Sequence, residues 1–345
     1  MNERNKGLFP LILALVVLAV CGSFFGLVMW LSQPSIPSGV RVAGEARSGP
    51  MTGALDRVKA ISRGRYDYSG SATAVPIRTA IESLIQAEAP YFQIEYLKPA
   101  AGGPNSTRAI EMLLSEEVSF VDSSRPLKPS EYKAAEQLGF ELQQVPVAID
   151  GIAIVVHPDL EIEGLTLEQI KDIFSGNVLN WAEVGGPNLN IRPFSLAPET
   201  SGTASAFVRR VLKGAPLAYE VEIKSETTPA LRQVAATPGS IYYTSVPLSV
   251  RQCSVKTIPI ATKADRPFVA PYVEPRVPAS PCPQQRNQIN RDALKNGTYP
   301  LVRRLFVVTK TGESAEAIAG RSYSDILLST EGQTLIEAAG FVPTR

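Results

Sequence analysis

A short hydroxyl-rich stretch, Ser201-Gly202-Thr203, has the residue types that bind an anion. The apolar residues after it have the spacing of a half-buried helix, so the stretch is predicted to form the start of that helix. The first N–H groups of a helix lack intrahelical acceptors and carry part of the positive end of the helix dipole. Glycine leaves these N–H groups accessible, and Ser201 or Thr200 is suited to cap the helix. The stretch therefore predicts either an ordinary capped helix or a site for an oxyanion such as phosphate or sulfate.

Three other stretches repeat this chemistry. Ser71 and Thr73 precede a second helical stripe, and Ser106 begins a third helix after a glycine-rich segment. Ser124-Arg125 follows a short apolar strand, and ligands in open α/β sheets bind at the carboxyl ends of strands. The repetition favours an anion site over unrelated helix caps.

Alternating strands and helices indicate how these residues are positioned. The alternation predicts an α/β fold, and a chain of 345 residues, 44% of them hydrophobic, is long enough for two lobes. Residues 144–156 form a long β-rich segment that we expect to cross from the first lobe into the second. Residues 299–308 are predicted to form a further strand.

The charge balance and the motifs exclude several classes of function. Lys and Arg number 34 and Asp and Glu 33, so there is no global basic field for nucleic acid, and anion selectivity must be local. His157 is the single histidine, which excludes a multi-histidine metal site, and no Cys-x-x-Cys, His-Glu-x-x-His or Walker motif occurs. We predict a protein without enzymatic activity, metal or cofactor. The remote alternative is an exported serine hydrolase that uses Ser201 or Ser71 with His157.

The N-terminal region predicts a membrane anchor. Residues 8–31 are almost continuously apolar and long enough to cross a bilayer about 30 Å thick. Arg4 and Lys6 precede them, so we expect a single-pass helix in the inner membrane, with its N-terminus cytoplasmic and the globular part periplasmic or extracellular. A cleavable signal peptide normally has a shorter apolar region, and lipidation at Cys21 is the remaining alternative. Residues 32–65, rich in Ser, Pro and Gly, predict a stalk.

Two cysteines lie outside this apolar segment. In an exported domain the pairing of Cys253 with Cys282 is favoured, and two free thiols are the alternative. Residues 251–299 are rich in proline and are expected to form a surface excursion.

Six segments occur in a characteristic order and spacing: residues 123–127 (SSRPL), residues 165–176 (LTLEQIKDIFSG), Asn180-Trp181, Ser201-Gly202-Thr203 with Phe207, residues 329–333 (STEGQ) and residues 340–343 (GFVP). Together they resemble the phosphate-binding proteins of ABC-type phosphate importers. The resemblance implies a two-lobed type II periplasmic-binding-protein fold that closes on a desolvated anion and delivers it to the permease subunits of an importer.

The residue patterns and the resemblance together predict domain boundaries and site residues. The boundaries are an anchor at 1–31, a stalk at 32–65, lobe 1 at 66–147, lobe 2 at 148–250, the proline-rich excursion at 251–299, and a return strand with a C-terminal helix completing lobe 1 at 300–345. The predicted anion ligands are Ser71, Thr73, Ser106, Ser124, Arg125, Ser201, Gly202 and Thr203, and the resemblance implies five of them: Thr73, Ser106, Ser201, Gly202 and Thr203.

Two positions depart from the family's pattern. The family commonly has an Asp at Ser124 and an Arg at Ala197, so Arg125 is expected to supply the missing positive charge. Buried hydrogen-bonding groups must be paired, so these differences leave open which oxyanion is preferred. They also motivate an alternative function, an envelope scaffold or sensor with the same fold.

Overall fold

The computed structural model describes residue 55 and residues 61–100, 104–278 and 280–344. The expected anchor at residues 1–31 and most of the expected stalk lie outside these ranges, so both stay predictions. No helix among the described residues is long and apolar enough to cross a membrane. The last two residues assigned to the stalk, Gly64 and Arg65, belong to the first strand.

Lobe 1 begins with alternating strands and helices. They are β1 (Gly64–Gly70), a 3₁₀ turn (Ala72–Ala74), α1 (Val75–Glu88), β2 (Phe92–Tyr96), α2 (Ser106–Leu114), β3 (Phe120–Ser123) and α3 (Pro129–Gln137). The long strand β4 (Leu142–Val156) then leaves lobe 1 and enters lobe 2, as predicted from its apolar run.

Lobe 2 is one continuous part of the chain. It contains β5 (Leu165–Thr166), α4 (Leu167–Phe174), a 3₁₀ turn (Trp181–Val184), β6 (Arg192–Leu196), α5 (Gly202–Arg210), β7 (Glu222–Lys224), α6 (Thr227–Ala236), β8 (Ser240–Ser245), α7 (Val246–Ser249), β9 (Lys256–Ile258), β10 (Ile260–Ala261) and α8 (Arg291–Lys295).

The chain then returns to lobe 1 through β11 (Val302–Lys310) and ends with α9 (Ala315–Leu328), α10 (Thr330–Ala338) and β12 (Val342–Pro343). The C-terminal part therefore contains two helices where one was expected. Ser329 separates them, because its hydroxyl oxygen accepts a hydrogen bond from the Gly332 N–H and so caps the second helix.

One long mixed sheet runs through both lobes, with the strand order β2-β1-β3-β11-β4-β8-β6-β7, and β9 and β12 also pair with β4. Strand β1 is parallel to β2 and β3, whereas β11 is antiparallel to β3 and β4. The first part of β4 pairs with β11, and its last part pairs with β8 and β9. The two crossover strands β4 and β11 therefore join the lobes, which confirms the predicted two-lobed α/β fold.

Each lobe has its own aromatic core. Phe120 stacks on Tyr68 and Tyr323 in lobe 1, with ring centroids 5.2 and 4.8 Å apart. In lobe 2, Phe207 of α5 stacks on Tyr243 with a centroid separation of 3.6 Å. Burial of Phe207 fixes the apolar face of α5 on the sheet, as its helical stripe predicts. The start of α5 is thereby directed toward lobe 1.

The segment 251–299 differs in part from the expected surface excursion. Cys253 and Cys282 form a disulfide, which confirms their predicted pairing. However, β9 pairs with β4, and Ile258, Tyr272 and Leu294 are buried in the core of lobe 2. The expectation of a surface position is wrong for these parts, because their apolar side chains complete that core.

Candidate anion-binding site

The predicted hydroxyl-rich segments meet where the two lobes face each other. Ser71 follows the carboxyl end of β1, and Ser124 follows that of the neighbouring parallel strand β3. Gly202 and Thr203 form the start of α5 on the lobe 2 side. Parallel strands bring their carboxyl ends to one edge of the sheet, which explains how segments distant in sequence converge here.

Three serine hydroxyls form the lobe 1 side of the site. The Ser71 Oγ donates to the Ser124 Oγ at 3.1 Å, and the Oγ atoms of Ser106 and Ser124 are hydrogen-bonded at 3.2 Å. The Ser124 N–H also donates to the Ser106 Oγ at 3.0 Å. All three residues are at most 2% exposed. The structure therefore joins three predicted ligands in one buried hydroxyl cluster.

The start of α5 forms the lobe 2 side. The Ser201 Oγ accepts a hydrogen bond from the Ala204 N–H at 3.2 Å, so Ser201 is the N-cap. A Cβ at Gly202 would lie 2.2 Å from the Ser124 Oγ, so only glycine permits this approach of the lobes. The Oγ1 atoms of Thr73 and Thr203 are 3.4 Å apart and form a second contact between the lobes.

Arg303, on the crossover strand β11, supplies positive charge to this cluster. Its Nη2 donates to the Thr203 Oγ1 at 2.8 Å and to the Thr73 Oγ1 at 3.2 Å, and its Nη1 donates to the Gly202 carbonyl oxygen at 3.1 Å. The residue is 5% exposed. One guanidinium thus contacts hydroxyls of both lobes at their boundary.

Asp150 holds this guanidinium in place. Asp150 and Arg303 are directly opposite in the β4–β11 ladder. The Asp150 Oδ2 accepts a hydrogen bond from Nε at 2.9 Å and lies 2.8 Å from Nη2 in an ion pair. The Ser245 Oγ donates to the Asp150 Oδ1 at 2.7 Å. Burial raises the pKa of Asp150 above its ordinary value, and the Arg303 charge and the Ser245 hydrogen bond counteract this rise. The carboxylate orients Arg303 and is itself fully engaged.

Arg125 has other partners. Its Nη1 and Nη2 atoms contact the two carboxylate oxygens of Glu131 at 2.9 and 2.6 Å, and Nη2 also donates to the Thr107 Oγ1 at 3.3 Å. Burial acts to raise the pKa of Glu131, but hydrogen bonds from Arg125 and the Lys128 N–H outweigh it and lower that pKa. The expected role of Arg125 as the anion's charge partner stays a prediction, and the guanidinium that contacts hydroxyls of both lobes, those of Thr73 and Thr203, is Arg303.

Sequence reasoning missed Arg303 and Asp150, although each carries a signal. Arg303 occupies an inward position between Leu301 and Leu305 in the two-residue alternation of β11. Asp150 is the one charged residue in the otherwise apolar and polar-neutral strand β4. A charged residue on a buried strand face requires a partner, so the two could have been matched on this ground.

The hydrolase alternative finds no support in the contacts of His157. Its Nδ1 accepts from the Asp159 N–H at 3.3 Å and lies 4.0 Å from a carboxylate oxygen of the exposed Asp159. In the described part of the chain, the hydrogen bonds of Ser71 and Ser201 do not involve this histidine. The same residues contain no group of three or more His, Cys, Asp or Glu side chains arranged to hold a metal ion.

Comparison with known proteins identifies relatives along most of the chain. A family model described as the PBP superfamily domain matches residues 62–331. The phosphate-binding protein PstS of Pseudomonas aeruginosa is 28% identical over 233 residues, which are 64% of this chain and 66%, just under two thirds, of that protein. The phosphate-binding protein PstS of Staphylococcus epidermidis is 26% identical over 282 residues, which are 81% of this chain and 79% of that protein.

A solved structure has the same fold. The crystal structure of an ABC-type phosphate transport receptor from Vibrio cholerae aligns with a TM-score of 0.61 and 22% identity, covering 80% of this chain and 98% of that one. Its two-lobed architecture agrees with the arrangement of β4 and β11 described above. The family model spans more than half of the chain, so this protein belongs to the PBP superfamily.

Proposed function

We propose that this protein binds phosphate or a related tetrahedral oxyanion between its lobes and delivers it to an ABC-type importer. Membership of the PBP superfamily supports a binding protein rather than an enzyme. The names of the Pseudomonas and Staphylococcus relatives support phosphate as the ligand.

The observation that carries the proposal is that polar groups of both lobes meet at one place, where Arg303 donates to Thr73 and Thr203 and Gly202 lies against Ser124. A tetrahedral oxyanion presents acceptor oxygens in several directions, and hydroxyls, helix N–H groups and a guanidinium are suitable donors. Ser71, Ser106 and Ser124 supply hydroxyls from lobe 1, and Thr203 supplies one from lobe 2. A guanidinium is always charged and has donors in a fixed planar arrangement, which suits an oxyanion in a buried site.

Lobe closure is the proposed mechanism of capture. The donors belong to different lobes, and β4 and β11 are the strands that connect them. A rotation about these strands would separate the start of α5 from the serine cluster, and an anion that bridges the two sides would favour the closed arrangement. Binding energy then comes from contacts that exist together only when the lobes are closed.

The hydrogen-bonding pattern also bears on which oxyanion is preferred. The carboxylate attached to this cluster, Asp150, accepts hydrogen bonds from Arg303 and Ser245. Serine and threonine hydroxyls both donate and accept, so the cluster can pair with protonated and unprotonated oxygens alike. We therefore include sulfate and arsenate beside phosphate among the ligands to be tested.

The remaining parts of the proposal concern location and partners. The apolar residues 8–31 would hold the protein in the inner membrane, with the binding lobes outside the cytoplasm. The Cys253–Cys282 disulfide fits an oxidising compartment. The permease subunits of an importer would receive the anion.

Isothermal titration calorimetry of the full-length chain tests the proposal. Phosphate, sulfate and arsenate are titrated separately, with nitrate as a planar control anion. We expect at least one tetrahedral anion to bind with a Kd below about 100 μM, which corresponds to roughly 5.5 kcal/mol. If none of the three binds more tightly than nitrate, the proposed function is wrong.

A further inference from the structure

Two adjacent arginines end the helix whose start forms the lobe 2 side of the site. Arg209 and Arg210 lie in the last turn of α5, and both are exposed. Neither is in an ion pair with a carboxylate among the described residues. By contrast, Arg125 and Arg303 are paired with Glu131 and Asp150.

Helix geometry relates these arginines to the site. Thr203 and Arg210 are seven residues apart, so they lie on the same face of α5, about 10 Å apart along its axis. At physiological ionic strength the screening length is about 8 Å. Exposed charges at this distance are largely screened at that ionic strength, so they act on an anion that approaches the start of the helix chiefly at lower salt.

Other guanidiniums act on these two arginines. The partial desolvation of its side chain lowers the pKa of Arg209, as do the positive charges of Arg210, Arg125 and Arg303. Burial also lowers the pKa of Arg210, with a further contribution from Arg303. Four guanidiniums therefore share one neighbourhood, and the paired carboxylates neutralise two of them. Arg209 and Arg210 are the two of these four that have no ion pair with a carboxylate among the described residues.

Helix stability alone does not require this arrangement. One basic residue in the last turn interacts favourably with the helix dipole, by about 0.3–1 kcal/mol at an exposed position. The positive charges of Arg210, Arg125 and Arg303 act unfavourably on Arg209, and that of Arg303 acts unfavourably on Arg210. An incoming dianion would relieve this repulsion.

We propose that Arg209 and Arg210 form an electrostatic guide that draws tetrahedral dianions into the cleft and raises their rate of association. The inference rests on the proposed function and deepens it by assigning residues to the encounter step. These exposed arginines act on the approaching anion before it is bound, so their removal slows association and leaves dissociation nearly unchanged.

Stopped-flow fluorescence measures the association rate. A coumarin is attached to Val75→Cys, at the exposed first residue of α1, in a Cys21→Ser background of the full-length chain. Phosphate is mixed with this protein and with its Arg209→Gln/Arg210→Gln variant at several ionic strengths. We expect the variant to associate about 3- to 10-fold more slowly at low ionic strength, with the difference vanishing at high salt.

Two control variants separate the guide from other effects. Arg209→Lys/Arg210→Lys retains both charges and should associate at the original rate. Arg232→Gln removes an exposed charge from another helix of the same lobe, α6, and should also leave the rate unchanged.

The outcomes are distinguishable. Slower, less salt-dependent association in the glutamine variant alone supports the guide. An unchanged association rate, a changed dissociation rate alone, or equal slowing in the lysine variant contradicts it while the proposed function stands. If the labelled parent protein binds none of the tetrahedral anions, the proposed function fails and the guide fails with it.

Discussion

The two buried arginine pairs of this protein, Arg125–Glu131 and Arg303–Asp150, are alike in burial and charge but differ in what their guanidiniums contact. Arg125 is 3% exposed and Arg303 is 5% exposed. The partners of Arg125 all belong to lobe 1, whereas Arg303 contacts Thr73 of lobe 1 and Thr203 of lobe 2. Burial and charge alone therefore do not identify the arginine at the site.

The difference arises from how each carboxylate holds its partner. Glu131 contacts both terminal nitrogens of Arg125, so Nη1 and Nη2 are both engaged by the carboxylate. Asp150 contacts Nε and Nη2 of Arg303, which leaves Nη1 to reach the Gly202 carbonyl oxygen on α5. An ion pair formed through Nε and one terminal nitrogen fixes an arginine and still leaves donors for other groups.

The largest expected effect distinguishes the two arginines directly. We expect Arg303→Met to lower phosphate affinity about 100-fold or more, because it removes a desolvated charge from the site. Arg125→Met should change affinity less than about 3-fold, since its contacts lie outside the cluster. Calorimetry gives both values.

Two further variants control this measurement. Arg304→Met alters the exposed neighbour of Arg303 on the same strand and should bind normally. Arg303→Met/Asp150→Asn removes both charges, so the buried carboxylate is not left unpaired, and it should still bind poorly. Equal losses of phosphate affinity in Arg125→Met and Arg303→Met would show that the two ion pairs do not differ in their role in binding.

A smaller effect on phosphate affinity is expected from a change at Gly202, the residue of α5 that Arg303 contacts. Gly202→Ala should lower phosphate affinity about tenfold or more, because the new Cβ would lie 2.2 Å from the Ser124 Oγ and prevent the present approach of the lobes. The Ser124 Cβ is farther away, at 3.6 Å. Adding Ser124→Ala should therefore restore part of the affinity, and an affinity of Gly202→Ala equal to that of the unaltered protein would show that this contact does not matter for binding.

A change in the Arg125–Glu131 pair should affect the stability of the fold. Glu131→Gln is expected to lower the free energy of unfolding by about 2–3 kcal/mol, because it leaves the buried Arg125 without its countercharge, while phosphate affinity stays constant. Urea denaturation measures the change. The matched control is Glu136→Gln, at an exposed position of the same helix, α3, which should change stability by less than about 0.5 kcal/mol. A loss of affinity in Glu131→Gln would place Arg125 in the site after all.

The smallest effect is a difference in pH dependence. The pKa of Glu131 is lowered in the folded protein, so its contribution to stability is present above the unfolded pKa and is lost as the pH falls through the folded value. The pKa of Asp150 is raised, so the folded state retains that proton longer and stability decreases as the pH rises from the unfolded to the folded value. We therefore expect the unfolding free energy of Glu131→Gln, measured between pH 3 and 7, to fall less on acidification than that of the unaltered protein. The unfolding free energy of Asp150→Asn should fall more on acidification.

Much of the architecture was predictable because it depends on local patterns. The apolar stripe through Phe207 and the hydroxyl of Ser201 defined α5 and its start, and both are confirmed. The long apolar run through β4 likewise indicated a crossover strand. These features involve residues close in sequence, where spacing alone determines which face is buried.

The choice between the two arginines was not predictable from local patterns. Arg125 follows the serines directly and so appeared to be the cationic residue of the site, but Glu131, six residues later, binds it. Arg303 acquires its role from Asp150, 153 positions away, through the pairing of β4 with β11. Strand register across such a distance decides which charges meet, and no short motif records it.

The division of the chain between the lobes has a consequence for biogenesis. Lobe 2 is one continuous segment, whereas the lobe 1 core joins Tyr68 and Phe120 from early in the chain to Tyr323 near its end. Lobe 1 therefore cannot complete its core until the last residues have been synthesised, whereas strands β5 to β10 and both cysteines of lobe 2 precede β11 in the chain. Arg303 is also synthesised long after Asp150. The Asp150 carboxylate therefore has no partner cation until β11 has been synthesised and pairs with β4.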